Sequence, residues 1–140
     1  MSAISLEFPF DYGFIEGIGK LFYPVVRLQV KSVHGWQDFE FLVDTGADIT
    51  TIPDILLPAF GIDKKTLKVS NTFGVGGFSV KTWDIQLEVK IGTDVLKIKS
   101  SAVETRNKFI PLLLGRKDIF EDKFSLLLDS KHKKTVIFKN

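Results

Sequence analysis

The chain has 140 residues, 44% of them hydrophobic and 26% charged, a balance that belongs to one soluble globular domain large enough to bury its own core. A formal charge of only +2 gives a weak field, which by itself indicates neither nucleic acid nor a membrane surface as partner. The lack of cysteine excludes disulfides, thiolate metal sites and a cysteine nucleophile.

Met1 to Glu7 lacks the positive charge and apolar run of a secretory signal, and no apolar run is long enough to span a bilayer. With no cysteine, this fits a cytoplasmic protein. Residues 1–23 form an irregular N-terminal arm with aromatics among glycines (Phe8, Phe10, Tyr12, Phe14), suited to packing on the domain or on a partner. From Pro24 to Val33, Val26, Leu28 and Val30 alternate with Arg27, Gln29 and Lys31, the period of a half-buried strand. His34-Gly35 is a turn, and Trp36 beside it is expected to pack against a strand. Phe39 to Val43 is an apolar strand that runs into Asp44-Thr45-Gly46. Lys65–Phe73 and Phe78–Lys90 flank Gly74-Val75-Gly76-Gly77, which reads as a long hairpin with a flexible glycine tip, its outer part spanning 68–83. Along its second strand Ile85, Leu87, Val89 and Ile91 alternate with Gln86, Glu88 and Lys90, and Trp83 is expected to pack on the buried face.

Gly92-Thr93-Asp94 turns the chain into a strand over Val95–Val103. Ile110–Leu114 is a further apolar strand, closed by Gly115, and Arg116–Asp122 is expected to be a short helix. Phe124–Leu128 and Thr135–Phe138 make a last hairpin about a turn at Asp129–Lys133. The pattern predicts a single all-β domain over residues 1–140 with one short helix near its C-terminus. The two histidines, His34 and His132, both fall in turns, which makes a metal centre or a Ser-His triad improbable; the basic run Lys131-His132-Lys133-Lys134 is likewise a solvated turn without the broad patch that phosphates require.

Three segments carry chemistry. In Phe41-Leu42-Val43-Asp44-Thr45-Gly46-Ala47-Asp48 a buried strand delivers a carboxylate to its end, and glycine lets the backbone turn there. Read locally, Asp44 is either a reactive carboxylate or the cap of a turn. The glycine cluster is either a plain hairpin turn or a tip whose N–H groups meet a ligand. In Pro111-Leu112-Leu113-Leu114-Gly115-Arg116 an apolar strand ends in glycine and a single arginine; a buried arginine there would need an acidic partner, for which Asp48 is a candidate.

Taken together and in this order, the three segments resemble the retropepsin family of aspartic proteases over roughly Pro24–Ser130. The resemblance implies a small closed β-barrel of the acid protease type, with a glycine-rich flap hairpin over the site and no cofactor or metal. It implies that Asp44 is the catalytic aspartate, that Thr45 cross-bonds with its symmetry mate, and that Gly46 and Asp48 hold the substrate backbone beside Ala47. Gly74, Val75, Gly76 and Gly77 would lie in the flap. Leu42, Val75, Pro111 and Leu113 would line side-chain pockets, and Arg116 would brace Asp48. Because one chain supplies one Asp-Thr-Gly, and this hydrolysis needs two carboxyls about one water, the resemblance implies a homodimer acting on an extended protein or peptide substrate. The alternative is a peptide-binding or dimerisation module of the same fold without general proteolytic activity. Ile49 follows Asp48 where some viral members carry an acid, and the chain continues past the expected helix into a hairpin, so the dimer contact is expected to differ from the viral one.

Overall fold

Alternation in the sequence becomes one-sided burial in the computed structural model, which describes residues 5–73, 77, 79–106 and 110–140. The strands are β1 (Ser5–Pro9), β2 (Asp11–Ile15), β3 (Gly19–Tyr23), β4 (Val25–Ser32), β5 (Gly35–Val43), β6 (Thr50–Pro53), β7 (Val69–Phe73), β8 (Ser79–Ile91), β9 (Asp94–Val103), β10 (Leu112–Leu114), β11 (Phe124–Asp129) and β12 (Lys134–Lys139). Val26, Leu28 and Val30 of β4 and Leu87, Val89 and Ile91 of β8 face one core, while the intervening polar residues of β4 face water.

Seven strands form one sheet in the order β4-β5-β10-β6-β9-β8-β7, and β4 pairs again with β8 through Gln29↔Lys90 and Val30↔Val89. That second pairing closes a ring of strands around Phe41, Ile52, Ile98, Leu114 and Ile119, all fully buried. The three-residue β10 threads between β5, to which it is parallel, and β6, to which it is antiparallel. Trp36 lies within β5 opposite Lys31, with the Lys90 ammonium 4.4 Å from its ring centre. Trp83 is buried in β8.

The arm over residues 1–23 divides in two. Strand β1 joins β12 and β11 in a separate three-stranded sheet, whereas β2 and β3 form a hairpin that, among the described residues, pairs only with itself. The glycine hairpin is present in its strands, with β7 paired to β8 from Val69↔Trp83 to Phe73↔Ser79. Gly74, Val75, Gly76 and Phe78 lie outside the described residues; Gly77 has φ +79°, a conformation that favours glycine.

The helix expected over Arg116–Asp122 is instead a run of turns. Amides of Ile119 and Phe120 both donate to the Arg116 carbonyl, but Asp118 stands at φ +67° and ends any helical course. Its carboxylate accepts the Lys99 N–H (2.9 Å) and its own N–H donates to Glu121 Oε1 (2.9 Å), so side chains hold the turn and drop Ile119 into the core. Helical geometry appears elsewhere, as short 3-10 turns over Asp54–Phe60 and Lys64–Thr66.

Asp54 ties that region down. Its Oδ1 accepts the Thr105 hydroxyl (2.6 Å) and the Thr105 N–H (3.1 Å), and its Oδ2 meets Lys64 Nζ at 3.0 Å, with only 9% of the side chain exposed. Burial opposes ionisation of this carboxyl, but the Thr105 hydroxyl, the Lys64 ammonium and the Thr105 amide together hold it below the usual aspartate range. A carboxyl lowered by folding contributes stability above its ordinary pKa and loses it as pH falls through the lowered value. Asp54→Asn is therefore expected to cost about 2 kcal/mol near neutrality. The urea midpoints of variant and wild type should converge as pH falls below the ordinary aspartate range and through the lowered value of the folded state. A gap unchanged down to pH 2 would remove Asp54 from the linkage.

Candidate active site

The site is built where two parallel strands leave the ring at the same end. Register sets Phe41, Leu42 and Val43 of β5 beside Leu112, Leu113 and Leu114 of β10. Phe41, Val43 and Leu114 fill the core, so the partners Leu42 and Leu113 come together on the opposite face, both half-buried. The next residues are Asp44 and Gly115, and hydrogen bonds continue past the strands. Asp44 N–H donates to the Leu114 carbonyl (3.0 Å), Arg116 N–H to Ala47 (3.1 Å) and Lys117 N–H to Asp48 (2.9 Å). On the other flank Val43 N–H donates to the Pro24 carbonyl (2.9 Å).

The loop from Asp44 to Asp48 is a tight turn. Ala47 N–H donates to the Asp44 carbonyl (3.1 Å), and Gly46 N–H donates to Asp44 Oδ1 (3.0 Å). One carboxylate oxygen is thus fixed by the backbone, while Oδ2 has no hydrogen-bond partner among the described residues. Asp44 is half-buried; Thr45 and Gly46 at the crest of the turn are exposed. The Asp44 side chain thus caps its own turn, one of the two local readings of this residue.

Gly115 makes the close approach possible. A Cβ at that position would lie 2.5 Å from the Ile49 carbonyl carbon and 2.8 Å from Thr50 N. Its N–H donates to Thr50 Oγ1 (3.0 Å), and Thr50 is completely buried. Sequence reasoning named neither Thr50 nor Pro24 as part of the site. Thr50 carried a faint signal, a hydroxyl at the start of an apolar strand, but its partner lies 65 residues away.

Arg116 meets Asp48 through Nη2 and Oδ1, the pairing expected, but not in a buried setting: 49% of the arginine side chain and 86% of the aspartate side chain are exposed. An exposed pair of this kind contributes little on its own. The two backbone bonds from Arg116 and Lys117 to Ala47 and Asp48 hold the loop. Pro111 is exposed at the start of β10. A hollow of about 580 Å³ opens behind Ile49, between Ile62, Leu67 and the strand residues Ile85 and Ser100. Gly74, Val75 and Gly76, expected in the flap, are outside the described residues. Among the described residues, no group of three or more His, Asp or Glu side chains is gathered to hold a metal ion, and no helix is long and apolar enough to cross a membrane.

A model of the retroviral aspartyl protease family matches residues 23–127, well over half of the chain. The chain belongs to that family. Among solved structures, a retropepsin-like aspartic protease from Rickettsia conorii superposes with a TM-score of 0.61 at 21% identity, over 99% of this chain and 95% of the other. The EIAV protease complexed with the inhibitor HBY-793 gives 0.50 at 18% identity, over 67% and 82%. At these identities the likeness is one of fold. No curated protein sequence matches the chain. The closed ring is thus the retropepsin fold, and the paired exits of β5 and β10 carry the Asp-Thr-Gly and Gly-Arg segments of this aspartyl protease family member.

Proposed function

We propose that the chain is the subunit of a homodimeric aspartic endopeptidase, in which a water held between two Asp44 carboxyls, one from each subunit, attacks a peptide bond. The observation that carries the reading is Asp44 itself: one oxygen is fixed by the Gly46 N–H, and the other meets no partner among the described residues at the end of a buried strand, in a member of an aspartyl protease family. Two carboxyls brought about one water cannot both ionise, so the pair shares a proton. The ionised member takes a proton from the water as it adds to the carbonyl carbon. The protonated member gives its proton to the carbonyl oxygen. The first member then passes the proton it took to the nitrogen while the second takes one back from a hydroxyl. The C–N bond breaks, the amine and the carboxylic acid leave, and the pair again shares one proton.

Around that pair, Thr45 and Gly46 form the exposed crest that meets the second subunit, and Ala47 and Asp48 offer backbone and carboxylate to an extended substrate. Leu42, Pro111 and Leu113 supply apolar walls. Gly74, Val75, Gly76 and Gly77 form the flap that closes over the peptide and excludes water. The backbone amides of Arg116 and Lys117 keep the Ala47–Asp48 loop in place, with the Arg116 side chain beside Asp48. An extended peptide suits such a cleft because its backbone can pair as an added strand. No metal or cofactor takes part, and the cysteine-free composition fits work in the cytoplasm.

Subunit mixing tests the proposal. The cleavage rate of a peptide library between about pH 4 and pH 7 is expected to rise faster than linearly with enzyme concentration. Adding an equal amount of Asp44→Asn subunits to a fixed amount of wild type should reduce cleavage to roughly half, because mixed dimers hold a single carboxyl. A rate linear in enzyme and indifferent to added variant would reject the shared site. A dimer that binds peptides and cleaves none would point instead to a binding module.

A further inference from the structure

Residues 11–23 stand apart from the rest of the chain. Strands β2 and β3 pair with each other from Asp11↔Tyr23 to Ile15↔Gly19 and, among the described residues, with no other strand. A two-stranded hairpin on its own is marginal in water; it needs a third strand or a surface to pack on. One of its faces is partly covered internally, since the Tyr23 ring lies over Gly13, where a Cβ would come within 2.9 Å of Tyr23 Cε2, while Ile15 at the end of that face is 41% exposed. Its other face is not. Tyr12, Phe14 and Phe22 lie along it, exposed by 45%, 78% and 44%, with the Lys20 ammonium 4.3 Å from the Tyr12 ring centre. At the root Phe22 stacks on the buried Phe10 at 4.2 Å, which fixes the direction of the hairpin without covering this face.

Position indicates what covers it. The hairpin runs into Pro24, whose carbonyl accepts the Val43 N–H, one residue before Asp44. In a dimer built on shared Asp44 carboxyls, each Asp44 lies next to the two-fold axis, and so does the root of each hairpin. Five-residue strands reach about 17 Å from that root. We infer that the β2–β3 hairpin is a dimerisation arm, which lays its aromatic face on the second copy of this chain and extends the interface outward from the catalytic pair.

Charge supports the same occupant. Beside the root lies a groove of about 450 Å³ with an apolar floor of Phe8, Phe10 and Val25 and a rim that includes Asp11 and Asp38. Arg27 in the same groove is paired with Glu40 (3.1 Å), and neither Asp11 nor Asp38 meets a cation among the described residues. An acidic, aromatic groove is complementary to an aromatic strand face that carries Lys20, and a two-fold axis presents each arm to the other subunit's groove.

The inference rests on the dimeric reading, and sedimentation of the full chain over a range of concentrations separates the two. Phe14 is exposed and Ile55, also exposed (73%), lies on the remote 3-10 turn, so neither Phe14→Asp nor Ile55→Asp should disturb folding. Phe14→Asp is expected to weaken the dimer roughly thirtyfold or more, with Ile55→Asp close to wild type. Cleavage by Phe14→Asp should be lost at low concentration and return at high concentration. Lys20→Glu should weaken the dimer several-fold, and Asp38→Lys should restore most of that loss in the double variant. A wild-type dimer that Phe14→Asp leaves unchanged overturns the arm and leaves the shared site standing. A wild type that stays monomeric at every concentration overturns both.

Discussion

Asp44→Asn is expected to lower kcat/KM for peptide cleavage at least about a thousandfold, close to 4 kcal/mol of transition-state stabilisation. The carboxamide has the shape of the carboxylate, and its oxygen can still accept the Gly46 N–H that the aspartate accepts. Fold and association should survive. The amide can neither take a proton from water nor deliver one to the substrate, and in a homodimer a single substitution removes both carboxyls. Steady-state kinetics beside urea denaturation and sedimentation would show the loss of rate with little change in either physical property. Retention of more than about a tenth of the wild-type rate would place the chemistry elsewhere.

Gly115→Ala should have the largest effect on stability among single-methyl changes near the site. The added carbon would sit 2.5 Å from the Ile49 carbonyl carbon, 2.7 Å from its oxygen and 2.8 Å from Thr50 N. All three are backbone atoms, so no side-chain rotation relieves the clash. The crossing strand β10 must move away from β6, which strains the Gly115 N–H bond to the buried Thr50 hydroxyl and the bonds that hold Ala47 and Asp48. Overpacking of this kind costs about 1–3 kcal/mol, and weakening a buried hydrogen bond adds to it, so a loss of about 3 kcal/mol is expected. Cleavage should fall further than the unfolded fraction accounts for, because the same movement displaces the Asp44 loop. Urea unfolding followed by the fluorescence of buried Trp83 is the direct check; a change under about 0.5 kcal/mol would mean that the strands absorb the methyl freely.

Strand alternation was legible wherever one face of a long strand is wet. Val26, Leu28 and Val30 marked β4, and Ile85 to Ile91 marked β8, because a period of two is a local property. The family was legible because each of the three segments that carry the resemblance is contiguous. What was hidden depends on partners far along the chain. The passage of β10 between β5 and β6 involves three residues, too few to show a period, and is fixed by Gly115 and Thr50. The helix expected at Arg116–Asp122 failed at Asp118, whose left-handed backbone is held by an amide of β9 that the local sequence does not announce. Arg116 was expected to need a partner because of burial; it has the partner without the burial. The 3-10 turn over Asp54–Phe60, with Pro58 inside it, has no helical stripe to read.

The small sheet of β1, β12 and β11 bears on how such an enzyme would be controlled. Strand β12 has both of its edges occupied by strands of its own chain, β1 on one side and β11 on the other. No terminal strand needs to be traded between subunits to complete that sheet, so two copies need not be interlaced there in order to meet. Subunits that are not interlaced can part without unfolding, and their association then follows mass action. In the proposed homodimer, local abundance would then favour the paired state and dilution the separated one.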